Sequence, residues 1–168
     1  TIAGSKLVLP GDENGTSAEQ LEDAIGPETA AVAFLIQPDI DDSVVTLEET
    51  IEIAHARDVP VIGDAAAQIY PLETLRRNAA SADLVCFGGK YMGAPQSSGF
   101  VVGKQEMIDA IAAHGFIGPT PFGRAMKMDR QEIVGLVAAL EAWVETDHEQ
   151  RLVNYGGKFG AIERAVQG

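Results

Sequence analysis

The sequence predicts an α/β protein in which helices cover both faces of a mostly parallel sheet, giving three layers. Short apolar runs rich in branched residues alternate along the chain with amphipathic stretches. The central runs are continuously apolar, as expected for strands that are covered on both faces. The amphipathic stretches open with helix-start signals. Strands and helices that alternate in this way favour a parallel sheet with helical crossovers.

Five segments are predicted to be strands: residues 6–9, 31–37, 59–63, 83–87 and 99–103. The last connection differs from the others because only eleven residues, 88 to 98, lie between two strands, and they include three glycines and a proline. Such a segment is a poor crossover helix, and parallel neighbours need one. The fifth strand is therefore predicted to run antiparallel to the fourth.

Helix starts are marked by capping boxes, in which a Ser, Thr or Asp is followed three residues later by Glu or Gln. The boxes are Ser17 with Gln20, Thr46 with Glu49, and Asp129 with Glu132. Pro71 suits the first position of a short helical segment that runs to Leu75. The helix after Asp129 carries a stripe predicted to face the core: Ile133, Leu136, Val137, Leu140, Trp143 and Val144. A more polar tail follows near Asp147.

The composition is that of one globular domain: 168 residues, 46% hydrophobic and 22% charged. Twelve basic and 25 acidic residues give a net charge of −13, which argues against a broad nucleic-acid or membrane-binding face but permits a local basic pocket for a small anion. The lone Cys86 excludes an internal disulfide. We expect no leader and no membrane-spanning segment. We expect a cytoplasmic protein.

Two polar residues follow neighbouring strands at the edge where α/β sheets bind ligands. Asp64 ends one predicted strand, and Lys90 follows the next after Gly88 and Gly89. Separately, such an Asp is often only a turn or cap residue, and such a Lys only a solvated loop charge. Together they form a candidate site, because Asp64 lies among apolar residues, should be desolvated and would then need a cationic partner. Gly88, Gly89 and Gly93 would let a planar ligand approach the backbone.

Other chemistries lack their motifs. A phosphate-binding loop would need a glycine where Leu84 stands, and no dinucleotide fingerprint, serine-nucleophile elbow or C-x-x-C pair is present. The three histidines, His55, His114 and His148, are scattered and fit solvated or helix-end positions better than a metal site. We predict no metal.

Three motifs resemble the fold-type-I pyridoxal-phosphate enzymes, in the aspartate aminotransferase superfamily. The resemblance is greatest to the branch containing L-seryl-tRNA(Sec) selenium transferase and D-glucosaminate-6-phosphate ammonia-lyase, and it runs from about Leu7 to Asp147. The motifs are Gly-Asp64-Ala-Ala-Ala-Gln68, Gly88-Gly89-Lys90-Tyr-Met-Gly-Ala-Pro-Gln96-Ser-Ser-Gly99, and Pro121-Phe-Gly-Arg124-Ala-Met-Lys127-Met-Asp129. The resemblance implies the large domain of the pyridoxal-phosphate-dependent transferase-like fold, of which this chain would be a part.

The resemblance also implies roles for individual residues. Lys90 would form the internal aldimine, a Schiff base, with pyridoxal 5'-phosphate, and Asp64 would pair with the pyridinium nitrogen. Ala66 would pack on the ring, and Gln68 would reach its 3-oxygen. Gly89 belongs to the cofactor-binding motif.

Two further sets of contacts are implied. Arg124 and Lys127 would hold an anionic substrate group, with surface charge as the alternative. Phe87 occupies the place where relatives commonly have a serine, so Ser97 or Ser98 would have to substitute at the phosphate.

Three functions remain open from the sequence. The first is a lyase or transferase acting on a small, anionic amino acid or amino sugar, in a homodimer or higher homo-oligomer. The second is a selenium transferase acting on seryl-tRNA, and the third is a cofactor-free binding or scaffold relative. Residues 1–147 are expected to be the central part of the cofactor-binding large domain, and 148–168 the start of a small domain or a tail.

Overall fold

A computed structural model of the protein describes residues 4–38, 44–115 and 122–167. Within these ranges the chain forms four strands, six α-helices and two short 3-10 helices. The strands are β1 (Val32–Leu35), β2 (Val61–Asp64), β3 (Leu84–Gly88) and β4 (Gly99–Gly103). The α-helices are α1 (Ala18–Ala24), α2 (Leu47–His55), α3 (Leu72–Ala79), α4 (Gln105–His114), α5 (Arg130–Glu145) and α6 (His148–Gln167). The 3-10 helices are Gly89–Met92 and Phe122–Met126.

The four strands form one sheet in the order β1, β2, β3, β4. β2 pairs in parallel with both β1 and β3, whereas β4 runs antiparallel to β3. The prediction of a mostly parallel α/β sheet with an antiparallel last strand is therefore confirmed. The parallel pairing places the carboxyl ends of β2 and β3 at the same edge of the sheet.

The strand predicted at residues 6–9 is wrong. This segment forms no ladder in the described chain, and its side chains are exposed, with Leu7 at 67% and Leu9 at 79%. An apolar run becomes a strand only where a neighbouring strand satisfies its backbone hydrogen bonds. The other four predicted strands are confirmed: the strand at 99–103 has the predicted ends, and the ends of the other three are shifted by one or two residues.

The helix starts follow the local signals closely. All three predicted capping boxes form, at Ser17, Thr46 and Asp129. Pro71 stands one place before α3, which runs on to Ala79. α4 lacks such a start signal and was not predicted, because Lys104 occupies its N-cap position and makes no side-chain cap bond.

Apolar side chains pack on one face of the sheet in two clusters. Val61 and Val85 are fully buried there, against α1 and α2 in one cluster and against α3 and α5 in the other. The opposite face carries a row of in-register residues: Leu35, Asp64, Cys86 and Val101. Leu35 is 56% exposed and Val101 38%. The expectation that both faces are covered thus fails at these positions of the described chain.

The two C-terminal helices expose much apolar surface. On α5 only Trp143 is buried, while Ile133, Val137 and Val144 are exposed, so the prediction of a fully core-facing stripe is wrong in part. α5 ends at Glu145, close to the predicted end. The predicted polar tail is instead the helix α6, which exposes apolar residues such as Phe159. Among the described residues, no helix is both long enough and apolar enough to cross a bilayer.

Candidate active site

The carboxyl edge of β2 and β3 holds the two central residues of the predicted site. Asp64 is the last residue of β2, and Lys90 lies in the 3-10 helix directly after β3. Two hydrogen bonds continue the pairing beyond Asp64: Ala65 N donates to Cys86 O at 3.0 Å, and Gly88 N donates to Ala66 O at 3.0 Å. The turn that follows Asp64 is therefore tied to the strand that ends just before Lys90.

The carboxylate of Asp64 is exposed, so the expectation that it is desolvated is wrong for the described chain. Gly63 and Ala65, its neighbours in sequence, are buried. Because side chains alternate along a strand, Asp64 points to the face that carries the exposed Leu35. Its Oδ1 accepts a hydrogen bond from Ala66 N at 3.0 Å. The turn-capping role, considered above as the alternative for this residue, is thus present.

Cys86 is the in-register neighbour of Asp64 on β3. Burial raises the pKa of the Cys86 thiol, and the negative charge of Asp64 raises it further. The thiol is half-buried. Cys86 was not predicted as a site residue, although the parallel register of the two predicted strands places it beside Asp64.

Lys90 extends its ammonium group into an open region beside an aromatic ring. Its Nζ lies 5.0 Å from the centroid of the Tyr91 ring, within the range of a cation–π contact. The 3-10 helix ends at Gly93, whose φ of +87° favours glycine. Tyr91 was not predicted as a site residue, although it directly follows Lys90 in the sequence.

The two glycines before Lys90 have different packing reasons. A Cβ on Gly88 would lie 3.1 Å from Ala66 O and from the Tyr91 ring, so Gly88 keeps the space between the two loops open. A Cβ on Gly89 would overlap Ser98 Oγ and lie 2.7 Å from Leu136 Cδ1. Gly89 is buried, and its N–H donates to Ser98 O at 2.9 Å. Packing within the chain therefore accounts for a glycine at position 89.

The remaining predicted ring contacts lie in the turn after β2. Ala66 and Gln68 are both half-buried. Gln68 N donates to Ala65 O at 2.9 Å, which closes the turn. The structure thus brings Ala66 and Gln68 to the same edge as Asp64, while their contacts with a ring stay predictions.

The two serines that were considered for phosphate contacts donate to other acceptors. Ser98 is buried, and its Oγ donates to Pro95 O at 2.7 Å. Ser97 Oγ donates to the carboxylate of Glu132 in the first turn of α5. Phe87, where the resemblance implies a serine, is buried and stacks on Phe100. The bonds of the two serines hold the loop around Lys90, and their contact with a phosphate stays a prediction.

Arg124 and Lys127 are exposed, in and just after the 3-10 helix Phe122–Met126. Pro121, which opens the third motif, lies outside the described residues. The exposure of both cations is compatible with either of the roles considered above. Their contact with a substrate stays a prediction.

Two of the histidines have partners other than Asp64 and Lys90. His55 ends α2 and contacts Asp83, as a helix-end histidine can. His148 begins α6, which fits the predicted helix-end position, and it is not solvated: it is only 8% exposed and packs against Trp143. In the part of the chain that the structure describes, no group of three His, Cys, Asp or Glu side chains could hold a metal.

Comparison with known proteins gives relatives with several different activities. D-glucosaminate-6-phosphate ammonia lyase of Salmonella typhimurium is 35% identical over 143 residues, which cover 83% of this chain and 36% of that protein. L-seryl-tRNA(Sec) selenium transferase of Rhizobium meliloti is 32% identical over 160 residues, which cover 86% of this chain and 33% of that protein. The chain thus spans about a third of the length of these relatives.

The fold and the family agree with these matches. A solved structure of D-glucosaminate-6-phosphate ammonia-lyase superposes with a TM-score of 0.72 at 33% identity, covering 86% of this chain and 37% of that one. The family model described as SelA, L-seryl-tRNA selenium transferase, matches residues 1–155. The chain therefore belongs to the L-seryl-tRNA selenium transferase family of fold-type-I pyridoxal-phosphate proteins.

Proposed function

We propose that this chain is the central part of a pyridoxal-phosphate-dependent lyase that eliminates a substituent from a small, anionic amino acid or amino sugar. The observation that carries the proposal is the tie between the Asp64 turn and the strand that precedes Lys90, through the bond from Gly88 N to Ala66 O. The similarity to the ammonia lyase, greater than to the selenium transferase, favours this branch of the family.

The residues at this edge of the sheet suit two groups of the cofactor, its aldehyde and its ring nitrogen. The amine of Lys90 suits the aldehyde, and the carboxylate of Asp64 suits the protonated ring nitrogen. Both groups are exposed at neighbouring strand ends, and Gly88 leaves the space between them free of a side chain. The half-buried methyl group of Ala66 would lie against the flat ring. When bound, the cofactor would act as an electron sink for the α-carbon of the substrate.

Each residue would then have a distinct task. Asp64 would hold the proton on the ring nitrogen, and a bound ring would shield its carboxylate from water and so strengthen that pairing. Lys90 would hold the cofactor covalently at rest. When its amine is released by the substrate, it would accept the proton from the α-carbon as a general base. Arg124 and Lys127 would orient an anionic group of the substrate.

A second candidate is selenium transfer on seryl-tRNA, because the family model carries that description. The net charge of −13 on this chain argues against a broad surface for tRNA here. The two candidates differ in their macromolecular partner, so a binding measurement separates them. Retention of tRNA at low salt, lost when the salt concentration is raised, would favour the transferase.

The decisive experiment locates the cofactor. The intact protein is incubated with pyridoxal phosphate, reduced with borohydride, digested and mapped by mass spectrometry. We expect the pyridoxyl label on Lys90, an absorbance band that K90A lacks, and normal labelling in the matched variant K158A, which changes an exposed lysine on α6. A label on another lysine would contradict the site, and no label at all would favour the cofactor-free scaffold.

We also propose a domain division and an assembly. Residues 1–147 would belong to the large domain and α6 to the start of a small domain or tail. The protein would be a cytoplasmic homodimer, and the apolar residues that α5 and α6 leave exposed, among them Val134 and Phe159, support the dimer. Sedimentation equilibrium of the intact protein tests the assembly, and a monomer at all concentrations would contradict it.

A further inference from the structure

One helix contacts both loops of the candidate site. On the Lys90 side, Leu136 of α5 packs against Gly89 so closely that a Cβ there would lie 2.7 Å from its Cδ1. Gly135, the residue directly before Leu136, faces the ring of Pro95 in the same loop. The helix therefore leaves Gly89, the residue before Lys90, no room to move toward it.

On the Asp64 side the contact is a hydrogen bond. The indole Nε1–H of Trp143 donates to Ile69 O at 3.1 Å, although the two residues are 74 positions apart. Trp143 is 7% exposed and Ile69 4%. A buried carbonyl needs a donor, and in this environment the indole provides it.

Ile69 closes the turn that begins at Asp64. Ile69 N donates to Ala67 O at 3.0 Å, and Gln68 N donates to Ala65 O at 2.9 Å. Ala66 N donates to the Asp64 carboxylate itself. A short series of hydrogen bonds thus leads from the Trp143 indole to the carboxylate.

The Trp143 ring is itself held in place. The Arg151 guanidinium lies 4.3 Å from its centroid, and the His148 ring packs against it at 4.5 Å. His148 Nε2 donates to Trp143 O at 2.9 Å, since a carbonyl can only accept. Contacts from the start of α6 therefore restrict the indole that holds the turn.

Resting on the function proposed above, we infer that α5 sets the spacing between Lys90 and Asp64, with Leu136 and Trp143 as positioning residues. The two lie seven positions apart, two helical turns, and so project from the same side of α5. One rigid helix thereby holds the Lys90 loop through Leu136 and the Asp64 turn through Trp143. Neither residue is proposed to touch substrate or cofactor.

The test compares hydrogen exchange in two variants of the intact protein without cofactor. W143F keeps an aromatic ring but removes the N–H donor, and L136A removes the side chain that packs on Gly89. We expect W143F to speed exchange at Ala66, Gln68 and Ile69 about tenfold, the effect of one lost buried hydrogen bond, without changing residues 89–93. L136A should give the reverse pattern. V144A, an exposed change on the same helix, should alter neither loop.

A second readout uses bound pyridoxal phosphate. If W143F displaces Asp64 from the ring nitrogen, the pH dependence of the visible absorbance band should shift in W143F and stay as in wild type in V144A. Equal acceleration of exchange throughout the protein, or no change at residues 66–69, would overturn the inference. If the wild-type protein takes up no cofactor, the proposed function fails, while the exchange pattern still decides whether α5 holds the two loops.

Discussion

Asp83 and Lys104 form an ion pair of 2.5 Å at the edge of the sheet opposite to Asp64 and Lys90. Asp83 directly precedes β3 and is only 3% exposed. Lys104 directly follows β4. The same carboxylate accepts hydrogen bonds from His55 Nε2 at 2.8 Å and from Val61 N at 2.7 Å. One buried acid thus joins α2, β2, β3 and the end of β4.

This carboxylate should make the protein sensitive to acid. Burial by itself raises the pKa of Asp83, but the hydrogen bonds from His55, Lys104 and Val61 N outweigh it and lower the pKa to about 2. Because the folded-state pKa lies below the unfolded value of 3.8, the stabilisation is present above about pH 4 and is lost as the pH falls toward 2. We expect about 1 to 2 kcal/mol, allowing for solvent screening.

Urea unfolding of wild type and D83N across this range measures the effect. The two free energies of unfolding should differ most near pH 6 and converge as the pH falls to about 2. D109N, which changes an exposed aspartate on α4, should follow the wild type throughout. A difference between wild type and D83N that does not depend on pH would mean that the charge of Asp83 is not what stabilises the fold.

The N-terminus of α5 should be sensitive to the loss of its cap. Asp129 Oδ1 accepts from Glu132 N at 2.7 Å, and the Glu132 carboxylate accepts from Asp129 N at 3.4 Å. Replacing Asp129 with alanine should cost about 1 kcal/mol, as for other helix caps, whereas D129N and D129S should recover most of it. Thermal unfolding followed by circular dichroism checks this, and equal losses in all three variants would contradict the capping role.

These local features were the most predictable from sequence. A capping box lies within four residues, so Ser17 with Gln20 and Asp129 with Glu132 could be recognised without knowing what the helices pack against. Features that depend on distant partners could not. Residues 6–9 have the composition of a strand but no neighbouring strand in the described chain, and His148 is buried only because α6 folds back onto Trp143.

The candidate site, too, could be predicted from the sequence only in part. The order of parallel strands was enough to bring Asp64 and Lys90 to one edge, because consecutive strands with short connections lie side by side. The exposure of Asp64 was not predictable, since it depends on what covers its face of the sheet. The donor to Ile69 O was also hidden, because Trp143 lies 74 positions away in the sequence.

A methyl group at position 89 should disturb the loop that carries Lys90. In G89A the new Cβ meets both Ser98 and Leu136, and Ser98 cannot turn away without losing its bond to Pro95 O. We expect a loss of about 1 to 3 kcal/mol in unfolding free energy, as for other overpacked positions, together with weaker cofactor binding. G26A, where a Cβ would have open space, is the matched control. Adding L136A to G89A should restore part of the stability, and no recovery would indicate that backbone strain is the cause.

The single cysteine reports the charge of Asp64 without any cofactor. Burial raises the pKa of Cys86 and the Asp64 carboxylate raises it further, so D64N should lower that pKa and increase the thiolate fraction at pH 8. Alkylation by iodoacetamide, followed by mass spectrometry, should therefore become about twofold faster in D64N. D23N, which changes an exposed aspartate on α1, should react at the wild-type rate. An unchanged rate in D64N would mean that the two side chains do not share the face on which the register of β2 and β3 places them.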